Sequence, residues 1–151
     1  MKAPVIAIVI PCYNEQEALP ITAATLLKLL DSMQSEGLID PASYVMCSND
    51  GSRDSTWQVI TELHAADQRI KGISLAHNRG NQYALLAGLM EVKDHCDAAV
   101  SIDADLQDDP AAIREMVKAY LDGKEIVYGV RSNRDTDTWF KRNTAHACYA
   151  F

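Results

Sequence analysis

The chain has 151 residues, of which 48% are hydrophobic and 23% charged, and its formal net charge is −7. This length and composition fit one soluble globular domain with a proper core. The net charge argues against a nucleic-acid-binding surface, which needs a basic stripe, and no stretch approaches the ~18 uninterrupted apolar residues of a transmembrane helix.

The chain opens with a predicted strand and helix. Val5 to Ile10 is continuous and β-branched, which predicts a central parallel strand covered on both faces. Asn14, with Glu17 three residues later, resembles a capping box and predicts that a helix opens there. Gly37 supplies the end of that helix.

Two further strands are predicted before the middle of the chain. Tyr44 to Cys47 is the second, and a polar turn follows it in which Asp54 or Ser55 can cap the next helix. Residues 70–75 form the third strand, and a loop that includes Asn78 leads from it into another helical pattern.

The last third of the chain predicts two more strands. Residues 98–102 are a short apolar run, followed by a helix with Asp109 at its cap and Pro110 at its first position. Residues 126–130 predict a fifth strand, and residues 144–151 have a helical pattern without a terminator.

This alternation predicts an α/β fold with a mostly parallel sheet flanked by helices. A polar cluster follows every predicted strand. The clusters are Tyr13/Glu15, Asp50/Ser52, Asn78/Gly80, Asp103/Asp105/Gln107 and Arg131/Arg134. Because open α/β sheets bind ligands at the carboxyl ends of their strands, the five clusters together predict one site.

Asp103 and Asp105 lie directly after the fourth predicted strand. On an extended backbone, residues i and i+2 face the same side, so the two carboxylates can point together, and Gln107 can follow if the extension persists. Two carboxylates and an amide oxygen suit Mg²⁺ or Mn²⁺. The bulk negative charge fits this prediction, because an anionic ligand would need a bound cation here.

Together, the clusters resemble family 2 glycosyltransferases of the GT-A fold, and especially the polyprenyl-phosphate sugar transferases such as dolichyl-phosphate mannosyltransferase and the bactoprenol glucosyltransferases. The resemblance spans nearly the whole chain, in family order. It rests on Pro11–Glu15, Asn49–Thr56, Asn78–Gln82, Asp103–Asp108 and Tyr128–Arg131. Asn49 departs from the family pattern, in which many relatives carry a second Asp.

The resemblance implies a nucleotide-sugar site and a metal site. The residues implied for the nucleotide sugar are Pro11, Tyr13, Glu15, Asp50, Asn78, Asp103, Ala104, Asp105 and Arg131. Asp103, Asp105 and Gln107 would hold Mg²⁺ or Mn²⁺, and Asp103, Asp105 and Arg131 would carry the catalysis.

Residue chemistry agrees with these roles. The Asp50 carboxylate can accept the imide N–H of uracil or its counterpart in guanine, and Tyr13 can offer a flat face. The guanidinium of Arg131 suits a bidentate grip on phosphate. A lipid-phosphate acceptor, largely ionised at neutral pH, would need little help from a general base, so none is nominated.

The predicted function is therefore a metal-dependent, inverting hexosyl transfer from a UDP- or GDP-linked sugar to undecaprenyl or dolichyl phosphate, as in cell-wall biogenesis. A family 2 transferase acting on a cell-surface polysaccharide and a non-catalytic partner-binding α/β domain remain alternatives. A sugar-phosphate nucleotidyltransferase is disfavoured because no glycine-rich loop follows the first strand, and a dinucleotide oxidoreductase because no G-x-G-x-x-G does.

Residues 1–151 are expected to be the nucleotide-sugar-binding part of a longer GT-A domain, without its acceptor side and membrane region. The four cysteines lie far apart without zinc spacing, which favours reduced thiols in the cytoplasm. The full-length protein is expected at the inner face of the cell membrane, and homo-oligomerisation remains open.

Overall fold

A computed structural model describes residues 2–129 of the chain. Within this range, four strands alternate with four helices. They are β1 Ile6–Cys12, α1 Leu19–Ser35, β2 Tyr44–Asn49, α2 Thr56–Ala66, β3 Ile70–Ser74, α3 Asn81–Val92, β4 Ala98–Ser101 and α4 Ala111–Leu121.

The four strands form one parallel sheet in the order β3-β2-β1-β4. Strand β1 lies inside the sheet, and Ile8 is in register with Val45 on one side and Val100 on the other. All seven residues of β1 are buried. This burial on both faces explains why β1 is a continuous apolar run rather than an alternating one.

Helices cover both faces of the sheet. Ile8 and Ile10 belong to a core cluster that includes side chains of α1, α2 and α4, whereas Val9 belongs to a second cluster with α3. Helix α3 lies very close to β1, because a Cβ added at Gly88 would be 2.6 Å from Val9 Cγ1. The predicted α/β layering of residues 2–129 is therefore confirmed.

The predicted capping box at Asn14 is wrong. Helix α1 begins at Leu19 with Ala18 as its N-cap, and Asn14 has φ 56°. The Asn14 side chain instead accepts a hydrogen bond from the N–H of Arg53, at 2.9 Å. A contact from a different loop has therefore outcompeted the local capping pattern.

Three other residues that were predicted at helix ends do lie there. Gly37 follows α1 with φ 71°, and the Asp54 carboxylate accepts the N–H of Thr56 at 2.9 Å. Asp109 likewise accepts the N–H of Ala111 at the start of α4, at 2.9 Å. In this case Pro110 is the N-cap itself, one position before the predicted one.

The fifth predicted strand does not form over the part of it that the structure describes. Residues 126–129 are not in a strand, and Ile126 and Tyr128 are 72% and 82% exposed. An apolar run becomes a strand only where a neighbouring strand and a covering layer accept it, and neither covers these two side chains. Val130, Arg131, Arg134 and residues 144–151 lie outside the described residues.

Candidate functional site

The strand order reverses at the β1–β4 pair, and we use the word crevice for the space outside the carboxyl ends of these two strands. From β1 the chain moves through β2 to β3 on one side, and then crosses to place β4 on the other side of β1. Ligands of open α/β sheets bind at such a reversal, outside the carboxyl ends of the strands. The loop after β1 carries Tyr13 and Glu15, and the loop after β4 carries Asp103 and Asp105. These two loops are the walls of the candidate site.

Burial alternates along the β4 loop. Ile102 and Ala104 are 7% and 3% exposed and belong to the core cluster, whereas Asp103 and Asp105 are exposed. The Ala104 methyl group is therefore held in the core and leaves the two flanking carboxylates facing solvent. Ala104 itself has no side chain available to a ligand.

The condition on which Gln107 could join the two carboxylates, a backbone that stays extended, is not met. The chain turns at Ala104 and Asp105, and Leu106 has φ 52°. The N–H of Gln107 donates to Asp105 Oδ1 at 3.1 Å. Gln107 is exposed, but the i, i+2 argument no longer places its amide beside the two carboxylates.

Glu15 on the opposite wall experiences the charge of these carboxylates. Partial burial raises the pKa of Glu15 above its usual value of 4.5, and the negative charges of Asp105, Asp54 and Asp103 raise it further. Acidic groups from both sides of the crevice therefore lie close enough to repel one another. A bound cation would relieve this repulsion.

The acidic side chains of the site suit a divalent cation that also binds phosphate oxygens of a substrate. Among residues 2–129, no group of three or more His, Cys, Asp and Glu side chains is arranged to hold a metal ion by itself. Asp103 and Asp105 supply two exposed carboxylates. Mg²⁺ typically binds one or two carboxylates together with phosphate oxygens of a substrate, so this pair suits a shared site.

We expect Glu15→Gln to stabilise the metal-free protein at pH 7 and not at pH 4. The raised pKa means that ionised Glu15 costs stability as pH rises above about 4.5, and glutamine removes that cost. Thermal melts across this pH range measure the difference, with Glu17→Gln on the exposed loop surface as the matched control. A stabilisation that is equal at both pH values would contradict the electrostatic explanation.

The loops after β1 and β2 are joined by hydrogen bonds. Asn14 N–H donates to Ser52 Oγ at 3.0 Å, and Glu15 N–H donates to Thr56 Oγ1 at 2.8 Å. Gln16 accepts the N–H of Ser55 at 2.9 Å. Glu15 is therefore held in place by the polar turn of the second loop. The small polar residues of that turn predicted a loop, but the hydrogen bonds between the two loops were not predicted.

Asp50 fastens the third loop. Its side chain is buried, and its two oxygens accept the N–H groups of Arg79 and Gly80 at 2.7 and 2.8 Å. Next to it, Asn49 donates to Ser74 Oγ at 2.8 Å and accepts from Ser52 Oγ at 2.6 Å. In this arrangement Asp50 orders the loop after β3, and its contact with a nucleotide base stays a prediction.

The remaining predicted residues fall into three situations. Pro11 is buried in β1, past the last residue pair with β4, where a missing N–H costs no sheet hydrogen bond with that strand. Tyr13 is 39% exposed at the mouth of the crevice, and Asn78 is exposed in the loop after β3. Arg131 lies outside the described residues.

A groove of about 820 Å³ runs along the outer side of β4 and α4. It is lined by Val100, Met116, Tyr120 and residues 124–125 and 127–129, among others, and by neither Glu15 nor Asp103. The lining also includes Ile102, Asp108 and Asp109, so the groove borders the loop that carries Asp103 and Asp105. Among the described residues, no helix is both long enough and apolar enough to cross a bilayer.

The known proteins that are similar in sequence to this chain are described as glycosyltransferases. The chain is 46% identical over 146 residues to YkoT of Bacillus subtilis, described as an uncharacterised glycosyltransferase, and 36% identical over 148 residues to the prophage bactoprenol glucosyl transferase homologue of Escherichia coli. These matches cover 97% and 95% of the chain, but only 43% and 44% of the relatives. The chain thus spans less than half the length of these proteins.

A solved structure has a similar fold. It is the mannosyltransferase PcManGT from Pyrobaculum calidifontis in complex with GDP-Man and Mn²⁺, with a TM-score of 0.51, 19% identity, and coverage of 68% of this chain and 28% of that one. A family model described as glycosyl transferase family 2 matches residues 7–149. Because this match spans nearly the whole chain, the chain belongs to glycosyl transferase family 2 and has the GT-A fold.

Proposed function

We propose that this chain is the donor-binding part of a metal-dependent, inverting glycosyltransferase that moves a sugar from a nucleoside-diphosphate sugar to polyprenyl phosphate. The observation that carries the proposal is the acidic crevice at the sheet reversal. Exposed Asp103 and Asp105 lie on one wall, and Glu15 on the other has a pKa raised first by its partial burial and then by the negative charges of Asp105, Asp54 and Asp103.

The protein groups divide the work of donor binding. Asp103 and Asp105 would hold Mg²⁺ or Mn²⁺, which when bound supplies charge stabilisation to the departing nucleoside diphosphate. Tyr13, 39% exposed beside the crevice, offers its ring to the nucleotide base. Asp50 and the loop that it fastens at Arg79 and Gly80 give the nucleotide side of the crevice a fixed shape. The roles of Gln107 and Arg131 rest on the family resemblance alone.

The acceptor is inferred from chemistry and from the relatives. A phosphate oxygen that is already ionised at neutral pH needs no protein base, and we assign none. Relatives that cover nearly the whole chain are described as bactoprenol glucosyl transferases, which supports a polyprenyl phosphate as the acceptor. The full-length protein would then work at the inner face of the cell membrane.

Donor binding is tested by thermal shift with UDP- and GDP-linked sugars, each with Mg²⁺, with Mn²⁺ and with chelator. Binding to the native state stabilises it by mass action and so raises the melting temperature. At a ligand concentration 100 times the dissociation constant, the free energy of unfolding rises by about 2.7 kcal/mol. We expect a shift for one nucleotide and only with metal. Equal shifts with chelator would contradict the metal-dependent site.

Acceptor choice is tested with the full-length protein, by following transfer of labelled sugar to undecaprenyl phosphate, to dolichyl phosphate and to a polysaccharide primer. We expect label in a polyprenyl phosphate fraction. Label only in the polysaccharide would identify the alternative family 2 activity, and donor binding without any transfer would contradict the proposed reaction.

A further inference from the structure

A buried threonine in the first turns of α1 contacts the loop that carries Asp103 and Asp105. Thr22 is 1% exposed, and its hydroxyl donates to the carbonyl oxygen of Ala104, 82 residues away in sequence. The same hydroxyl lies 3.2 Å from the carbonyl of Ala18 within its own helix. A hydroxyl has one proton, and the shorter contact is the one to Ala104, so the hydrogen bond joins two separate elements.

This hydrogen bond fixes the peptide group between the two acidic residues. The Ala104 methyl group is held in the core, its carbonyl is held by Thr22, and Asp105 accepts the N–H of Gln107. With Ala104 restrained on two sides, the backbone directions at Asp103 and Asp105 are set. The angle at which both carboxylates leave the loop therefore depends on Thr22.

Helix α1 is also continuous with the opposite wall of the crevice. The N–H of Leu19, its first residue, donates to the carbonyl of Glu15 at 2.9 Å. The start of α1 thus contacts the Glu15 loop through its backbone and the Asp103–Asp105 loop through Thr22. One rigid helical segment spaces the two walls.

We propose that Thr22 is a positioning residue, which sets the geometry of Asp103 and Asp105 relative to Glu15 and thereby the affinity of the crevice for a divalent cation and a nucleoside diphosphate. This inference rests on the proposed function for its ligand. The orientation of the loop by Thr22 can be measured without any ligand.

The test compares three substitutions in one helix. Thr22→Val keeps the branched shape and removes the donor, whereas Thr22→Ser keeps the hydroxyl. Thr25→Val is the matched control, because the Thr25 hydroxyl donates only within α1, to the carbonyl of Ile21 at 2.9 Å. Leaving the buried Ala104 carbonyl without its donor is costly.

The first readout is the dissociation constant of Mn²⁺ in the presence of UDP or GDP, measured by electron paramagnetic resonance. We expect about tenfold weaker binding for Thr22→Val, the size expected for one lost buried hydrogen bond. Thr22→Ser should stay within about threefold of the unmodified protein by the same reasoning, and Thr25→Val should not differ. Unchanged binding in Thr22→Val, or equal loss in Thr22→Ser, would overturn the proposal.

The second readout is amide hydrogen exchange of residues 103–107 without metal. We expect faster exchange there in Thr22→Val and not in Thr25→Val, because the loop loses its anchor to α1. If the unmodified protein binds no Mn²⁺, the proposed function fails, and this exchange measurement still decides whether Thr22 orients the loop. Unchanged exchange at residues 103–107 would contradict the positioning role.

Discussion

Replacing Asp103 or Asp105 by asparagine should remove metal-supported donor binding without destabilising the protein. Each substitution removes one of the two carboxylates of the site. Among residues 2–129, no group of three or more His, Cys, Asp and Glu side chains could hold the metal ion in their place. Divalent cations of this type need charged oxygen ligands, so we expect donor affinity in Mn²⁺ to fall on the order of 100-fold or more. Calorimetric titration of the donor measures this loss.

The free protein should respond to the same substitutions in the opposite direction. Asp105 and Asp103 are among the charges that raise the pKa of Glu15, so neutralising either one relieves repulsion at pH 7. In Asp105→Asn the remaining amide oxygen can still accept the N–H of Gln107. The melting temperature without metal should therefore hold or rise while affinity falls.

Asp94→Asn is the matched control for this pair. Asp94 is exposed and lies between the end of α3 and the start of β4. It is therefore near the amino end of that strand, whereas the crevice is at the carboxyl ends. It makes the same change of charge and should leave donor affinity unchanged. Equal loss in all three variants would point to bulk charge rather than to the crevice, and unchanged affinity in Asp103→Asn and Asp105→Asn would contradict the metal site.

Gly51→Ala should cause the largest loss of stability of any single change at the site. Gly51 has φ +61°, and an added Cβ would lie 2.6 Å from the backbone C and Cα atoms of His77 and 2.7 Å from the nitrogen of Asn78. Backbone atoms cannot rotate away as a side chain can. The positive φ costs about 1–3 kcal/mol and forced overpacking about 1–3 kcal/mol more, so we expect a loss of roughly 2–6 kcal/mol.

The same substitution should also weaken donor binding. Gly51 follows Asp50, whose carboxylate holds the N–H groups of Arg79 and Gly80. Pushing the β2 and β3 loops apart would break these hydrogen bonds and change the nucleotide side of the crevice. Urea unfolding and donor calorimetry on the same samples measure the two effects.

Gly37→Ala separates the two causes of the expected loss. Gly37 also has a positive φ, +71°, but no atom lies within 4 Å of an added Cβ. It should therefore show the conformational cost alone, about 1–3 kcal/mol, with donor affinity unchanged. If Gly51→Ala costs no more than Gly37→Ala, the close contact between the two loops does not matter for stability.

Much of this architecture could be predicted from the sequence because its signals are local. A continuous β-branched run predicted β1. Asp54 and Asp109 were predicted at helix starts, and both accept backbone N–H groups there. The grouping of Glu15, Asp103 and Asp105 also followed, because parallel strands deliver their carboxyl ends to one edge. Glu15 indeed experiences the charge of both aspartates.

The errors arose where contacts distant in sequence, or their absence, overrode local preferences. Asn14 bonds to Arg53 instead of capping α1, and residues 126–129 form no strand because no neighbouring strand or covering layer accepts them. The extended backbone on which the placement of Gln107 depended is interrupted by the turn at Ala104 and Asp105, after which Leu106 has φ 52°. Thr22 gave no signal at all, because a threonine inside a helical pattern does not reveal that a carbonyl 82 residues away needs its proton.

The central claim, that Asp103, Asp105 and the loop of Glu15 hold a metal-diphosphate group, is tested most directly by where Mn²⁺ binds. In nitrogen-15 NMR spectra recorded with UDP or GDP, substoichiometric Mn²⁺ broadens the amide signals nearest to it. We predict broadening centred on residues 13–16 and 103–107, weaker at 50–52, and lost in Asp103→Asn. Broadening centred instead near Glu91 and Asp94, or spread over every exposed acidic residue, would contradict the account.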